Sequence, residues 1–402
     1  MTFLSSHLPH CLAVLAALTY TFKASPIVNV APAITRLPAP LNATFSVGTQ
    51  VFNLVDDNRL DPWNTTEKRA VEITVYYPST AQNNGTCPSG TDFAPYMPAV
   101  MAGLIDQRLG IPNGTLESVR IDACLGAPAV SSDQRKLIVM SPGLGSTRLI
   151  YQTFAIPLAA HDYVVVTIDH PFDAAIVEYP DGQLVPAAPL NVTDPTFILA
   201  LMKVRIKDVQ FVLDQVCSNK NLTQGIPVDC GVRKVGMFGE FLGGSTTAAM
   251  TIVEQRIAGG INFDGTFSPI QSGPYVAPET PFLVVAAEGH DMATDPTYGD
   301  WFKTPKAKPA DRIIVTVRGA GHVSFTDFPI LFEVLGLNTS DIAAPDVVNG
   351  LGTIEGHRIS EIGQVANNAW FDLILKGNRT GTQDLLTHAK EDFPELEIVL
   401  LD

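Results

Sequence analysis

A strand-like run ends in Gly239-Glu240-Phe241-Leu242-Gly243-Gly244, and Ser245-Thr246-Thr247-Ala248-Ala249-Met250 then suits the start of a helix. Strand, tight glycine turn and helix are the setting of the nucleophile elbow G-x-S-x-G, where a strained turn and a close strand–helix approach demand glycine. Here the pattern is G-x-F-x-G, with Phe241 at the nucleophile position. A phenyl ring has no lone pair and no transferable proton, so it cannot form an acyl-enzyme. Glu240 is one step from the apex, and its side chain is expected to point differently from that of residue 241.

The other parts of such a site are present. Gly259-Gly260-Ile261-Asn262-Phe263-Asp264 ends a strand-like run with an acid, and Arg318-Gly319-Ala320-Gly321-His322 carries a histidine after a later one. Nucleophile position, acid, then histidine is the α/β-hydrolase order. Ser141-Pro142-Gly143-Leu144-Gly145-Ser146 follows another run, and backbone N–H groups near Leu144, with that of Leu242, could face a bound oxygen. Ser245 and Ser146 are the substitute nucleophiles to weigh, and Glu288 and Asp291 the alternative acids. Asp169-His170 reads as scaffold, and His161, His290 and His357 as surface residues. No cysteine pair has C-x-x-C spacing, so no metal or cofactor is expected.

These residues need a sheet to hold them. Val71–Tyr77, Lys136–Met140, Tyr163–Asp169, Lys234–Phe238, Gly259–Phe263, Pro281–Ala287 and Arg312–Val317 are short apolar runs bounded by glycine and proline. They predict buried strands of a largely parallel sheet. Leu201–Val216 has the best helical periodicity, and Ser360–Leu375 is a second expected helix. Alternating strand and helix predicts a mostly parallel central sheet flanked by helices. Residues 25–70 read as an irregular entry arm, 81–132 as a loop or lid excursion, and 340–402 as a C-terminal helical segment. Residues 25–402 read as a single domain.

Lys and Arg number 26 against 41 Asp and Glu, a net charge of −15 that disfavours nucleic-acid partners. An apolar stretch from about Leu8 to Tyr20 fits a signal peptide over residues 1–24 and is too short for a comfortable membrane span. Glycosylation sequons begin at Asn42, Asn64, Asn84, Asn113, Asn191, Asn221, Asn338 and Asn378. Beyond Cys11 in the leader, Cys87, Cys124, Cys217 and Cys230 remain. Four cysteines allow three pairings, of which Cys87–Cys124 with Cys217–Cys230 closes the most local loops. Together these features predict a secreted, extracellular protein.

The stretches SPGLGSTRLIY, DYVVVTIDHPFDAAIVEYPDG, VGMFGEFLGG, GGINFDGTF and GHVSFTDF resemble the platelet-activating-factor acetylhydrolase branch of the α/β hydrolases, in its fungal secreted form, over roughly residues 70–375. That resemblance implies the α/β-hydrolase fold, with Asp264 as acid and His322 as base. The family elbow reads GHSxGG, so Glu240 and Phe241 replace the expected His and Ser. No catalytic triad is intact. The chain is also similar to hydrolase-fold proteins without the nucleophile that steer oxidase-driven phenol coupling. This implies a pseudoenzyme that binds an aromatic polyketide-type or lipid-like ligand through Leu144, Glu240, Phe241, Leu242 and His322, beside a secreted laccase. The alternatives are an active secreted esterase or lipase with an unrecognised nucleophile, and a non-covalent cyclase or isomerase using His322.

Overall fold

The computed structural model describes residues 33–80, 86–131, 134–189, 191, 193–268, 280–303 and 312–400. The expected signal peptide and Cys11 lie outside them. The five strands Tyr163–Asp169, Arg135–Ser141, Val235–Glu240, Ile257–Phe263 and Phe282–Ala287 lie side by side in that order, followed by Arg312–Val317. All of these neighbours pair in parallel. The three central ones are buried along almost their whole length, as parallel strands covered on both faces must be. Antiparallel strands flank them, with Lys68–Ser79 against Tyr163–Asp169 on one side and Leu396–Leu400 against Arg312–Val317 on the other. This is the expected α/β-hydrolase architecture.

The strands follow the apolar runs because a strand with both faces covered needs no alternation. The helix expected at Leu201–Val216 spans Pro195–Ser218, capped by the Asp194 side chain on the N–H of Thr196. The helix expected at Ser360–Leu375 spans Gly356–Phe371 and continues as a π turn, Asp372–Lys376. The strand order reverses between Arg135–Ser141 and Val235–Glu240: after Arg135–Ser141 the chain adds Tyr163–Asp169 on one side and then returns to add Val235–Glu240 on the other. Open α/β sheets place their sites at the carboxyl ends of strands beside such a switch.

Three expectations need correction. The entry arm is not irregular throughout: Ser46–Leu60 is a strand that pairs antiparallel with Lys68–Ser79. Its outer half alternates half-buried and exposed residues, so its sequence lacks the continuous apolar run of a central strand. Residues 86–131 are not a loop. They contain the helix Ala99–Leu109 and the strand Val119–Leu125, which pairs with Ser46–Leu60 at the sheet edge. The C-terminal segment is helical up to Asp392 and then adds the edge strand Leu396–Leu400. Disulfides join Cys87 to Cys124 and Cys217 to Cys230, the local pairing. Among the described residues, no helix is long and apolar enough to cross a membrane.

Candidate functional site

Phe241 caps the helix Leu242–Val253 with φ 50° and ψ −114°. A bulky residue at positive φ is a genuine outlier, and such strain costs about 1–3 kcal/mol. The turn around it leaves little choice. The Phe241 N–H donates to the carbonyl of Phe263 at 2.9 Å, and its own carbonyl accepts from the N–H of Ser245 at 3.1 Å. A Cβ on Gly243 would sit 1.9 Å from the Ser141 carbonyl oxygen, and one on Gly265 would sit 2.1 Å from that of Phe241. The nucleophile elbow is therefore complete in backbone, with a phenyl ring at its apex.

The ring lies edge-to-face on His322, with centroids 5.1 Å apart and planes at 88°. It also packs against an apolar cluster formed by Leu144, Leu201, Met202, Leu242 and Ala249, beside Trp63 and Phe197. Leu242 is the first residue of the elbow helix, so its N–H lies outside the intrahelical ladder. The Gly143 N–H, one residue before Leu144, is engaged by the Tyr151 hydroxyl at 3.1 Å.

Glu240 meets the same histidine from another side. Its Oε1 is 3.1 Å from His322 Nε2, the nitrogen that a serine nucleophile would use. Its Oε2 accepts a 2.8 Å hydrogen bond from the Tyr151 hydroxyl. The expectation that Glu240 would diverge from residue 241 therefore needs refinement: the two side chains take different directions and both end on His322. Burial pushes the Glu240 carboxyl up to about 7, with the neighbouring imidazole and the Tyr151 hydrogen bond opposing the rise.

On the far side of the ring, His322 Nδ1 lies 2.7 Å from Asp264 Oδ2. The structure brings Asp264, the residue expected as the acid, against His322, and the two alternatives are turned elsewhere. Asp291 caps its own turn through the N–H groups of Ala293 and Thr294, and Glu288 accepts from the Gly319 N–H. Asp264 serves a second histidine as well. Its Oδ1 is 2.8 Å from His290 Nδ1, and His290 Nε2 is 3.0 Å from Asp295. Burial opposes ionisation of Asp264, but the two imidazoles hold its carboxyl well below the usual range. Burial also works against charge on His290, yet Asp264 and Asp295 raise it to about 10.

His290 is thus no surface residue, contrary to expectation. The clue was its place just after the strand Phe282–Ala287, at the same carboxyl edge as Asp264. Tyr151 and Asp295 also escaped sequence reading: Tyr151 ends the SPGLGSTRLIY stretch with no role assigned to it, and Asp295 sits in none of the quoted motifs. His161 is half-buried and bonds the Pro157 carbonyl, whereas His357 is exposed and pairs with Glu333.

Neither substitute serine reaches His322. Ser245 Oγ donates to the Thr266 carbonyl and accepts from the Ser268 N–H, and Ser146 lies in the loop after Ser141, its N–H bonded to the Gly143 carbonyl. Asp169-His170 is scaffold, as expected. Asp169 pairs with buried Arg148. His170 bridges Ser141 Oγ, at 3.0 Å, and Asp208, at 2.9 Å. This Ser–His–Asp set has triad-like spacing, but its members are at most 1% exposed. Arg205 joins it to the loop after Ser141, donating to the carbonyls of Pro142 at 2.5 Å and Gly143 at 3.0 Å and pairing with Asp173.

Among the described residues, no group of histidines, cysteines and carboxylates is arranged to hold a metal ion. The arrangement offers a rigid carboxyl–imidazole–carboxylate line beside an aromatic apex. It can donate, accept and relay a proton, and it has no group at the apex that could be acylated.

Residues 39–224 and 207–339 match the family model for platelet-activating factor acetylhydrolase, isoform II. The chain is 27% identical over 399 residues to a probable 1-alkyl-2-acetylglycerophosphocholine esterase of Arthroderma benhamiae, covering 94% of this chain and 97% of that one. It is 22% identical to the platelet-activating factor acetylhydrolase of Cavia porcellus, over 67% of this chain and 62% of that one. Among solved structures it is similar to a ferulic acid esterase from Streptomyces cinnamoneus, with TM-score 0.74 and 26% identity over 92% of this chain and all of the other. The chain belongs to the platelet-activating factor acetylhydrolase, isoform II, family of hydrolases.

Proposed function

We propose that this chain is a non-hydrolytic member of its family that binds and orients an aromatic, polyketide-type metabolite. In this reading it biases the stereochemistry of phenol coupling driven by a separate secreted laccase. One observation carries the reading: Phe241 holds the elbow apex while Glu240 occupies the nitrogen of His322 that a nucleophile would need. A covalent route then has neither attacking atom nor available base, and a half-buried aromatic surface remains. Orientation needs only a small difference in binding between two approach geometries. A bias of about 1.4 kcal/mol gives about tenfold selectivity, within reach of one or two hydrogen bonds.

Secretion belongs to the same proposal. It is supported by the apolar leader, by two disulfides and by the exposure of sequon residues Asn42, Asn113, Asn191, Asn221, Asn338 and Asn378. The test is coupling of a phenolic aromatic polyketide by laccase with and without this chain. The isomer ratio should shift, and the chain alone should make no product. An unchanged ratio rejects the reading.

A second reading is favoured by the Glu240 carboxyl near neutrality against His322: a non-covalent isomerase or cyclase working by proton transfer. Product formed by the chain alone, without oxidant, selects it. A hydrolase with an unrecognised serine is the outcome selected by labelling with a fluorophosphonate.

A further inference from the structure

We infer that Glu240 and His322 together read a free, weakly acidic hydroxyl on an aromatic ligand, and that the site rejects O-alkylated and carboxylate-bearing analogues. The inference rests on the proposed aromatic-binding reading and adds the ligand group that the site recognises.

The hydrogen-bonding capacity of Glu240 is only partly used. An ionised carboxylate offers about four lone-pair sites. In Glu240, Oε1 meets His322 Nε2 and Oε2 receives the Tyr151 hydroxyl. The remaining sites lie in a side chain that is 5% exposed, beside an imidazole that is 25% exposed. A buried carboxylate short of donors gains more from one added O–H than a solvated one does, because no water competes for it.

The neighbours define what carries that hydroxyl. Phe241 presents a ring against His322, and Trp63, Phe197 and Leu144 extend the apolar surface. An aryl group matches an apolar surface of this kind, and a phenol or enol is a better donor than an aliphatic alcohol. Ligand charge is decided by the same residues. Glu240 and Asp264 flank one imidazole, and the charge of His290 is already taken up by Asp264 and Asp295. An incoming carboxylate would meet uncompensated negative charge, whereas a neutral hydroxyl would not. Burial holds the Glu240 carboxyl near neutrality, which is closer to a phenol than an ordinary glutamate is and strengthens their hydrogen bond.

Three probes of one shape test this at pH 8: 2-naphthol, 2-methoxynaphthalene and 2-naphthoate, titrated calorimetrically into the full-length protein. 2-Naphthol should bind at least tenfold more tightly than its methyl ether, and the naphthoate most weakly. Glu240→Gln should reduce the naphthol preference to under threefold. The comparison among probes on the unaltered protein stands even where the variant folds poorly. Equal binding of naphthol and ether overturns the inference and leaves the aromatic-binding reading standing. Tightest binding by the naphthoate overturns it in favour of an anion site. Binding of none of the three overturns both.

Discussion

The Oε1 atom of Glu240 lies 3.1 Å from Nε2 of His322, so the imidazole that would activate a nucleophile is already engaged by the residue next to the nucleophile position. Restoring serine at the apex therefore addresses half of the problem. A Phe241→Ser variant leaves the new hydroxyl competing with a buried carboxyl for the same nitrogen. We expect it to hydrolyse p-nitrophenyl acetate less than tenfold above the unaltered chain. Glu240→His with Phe241→Ser recreates the GHSxGG elbow and should exceed the single variant by about 10² or more, the low end of what a positioned general base contributes. Initial rates for the three proteins decide the matter. Full activity in the single variant would show that Glu240 does not block the base.

The unaltered chain should not react with a fluorophosphonate probe while folded. Loss of a serine nucleophile costs about 10⁶ in turnover in the subtilisin series. The buried Ser141–His170–Asp208 set could mislead on spacing alone. Burial lowers the His170 pKa and keeps the imidazole neutral, as a general base must be, but Ser141 and Asp208 are 0% exposed. Labelling measured by intact mass should be absent. A stoichiometric adduct lost in Ser141→Ala would mean that the loop after Ser141 opens in solution.

Much of this site could be read from the sequence, because glycines and strand ends are local signals. Gly239, Gly243 and Gly244 marked the elbow, and chain order marked Asp264 and His322. Side-chain direction at the apex was harder. At an elbow the backbone turns between two adjacent residues, so strand alternation does not tell where Glu240 ends. His290 was missed for a different reason. Its partners, Asp264 and Asp295, come from two separate strand-to-helix loops, and only the folded sheet brings the first of them close. The strand Ser46–Leu60 escaped because one of its faces meets solvent, and its residues read as polar coil.

The pH dependence of stability should carry the signature of His290. Its folded pKa of about 10 lies above the ordinary histidine value of 6.5, owing to Asp264 and Asp295 acting against burial. A raised histidine contributes stability that is complete below the unfolded value and is lost as pH rises through the folded one. Stability should therefore fall between about pH 6.5 and 10. Glu240, raised to about 7 by burial, acts in the same direction at lower pH, between its ordinary 4.5 and 7. His290→Gln should flatten the alkaline part of the profile and leave the Glu240 part in place. Urea midpoints at pH 6, 8 and 10 test this, and an unchanged alkaline slope would rule out a charged His290.

Arg205 should be among the least replaceable residues outside the elbow. Its guanidinium is buried, makes two 2.6 Å bonds to Asp173 and holds the carbonyls of Pro142 and Gly143. Removing one partner of a buried pair leaves an uncompensated charge and costs about 3–5 kcal/mol. Arg205→Met should lower stability by about that much. It should also loosen the loop that carries Leu144, because the Pro142 and Gly143 carbonyls each lose the guanidinium donor. Replacing Asp173 by leucine in the same chain removes the stranded carboxylate, so the double variant should recover part of the loss. It should not recover the loop, since the Pro142 carbonyl still lacks its guanidinium donor and the Gly143 carbonyl keeps only the 3.3 Å bond from the Ser146 N–H. Urea unfolding of the two variants reads the first effect, and amide exchange at Gly143 to Ser146 reads the second. Full recovery of both in the double variant would show that Arg205 serves only to neutralise Asp173.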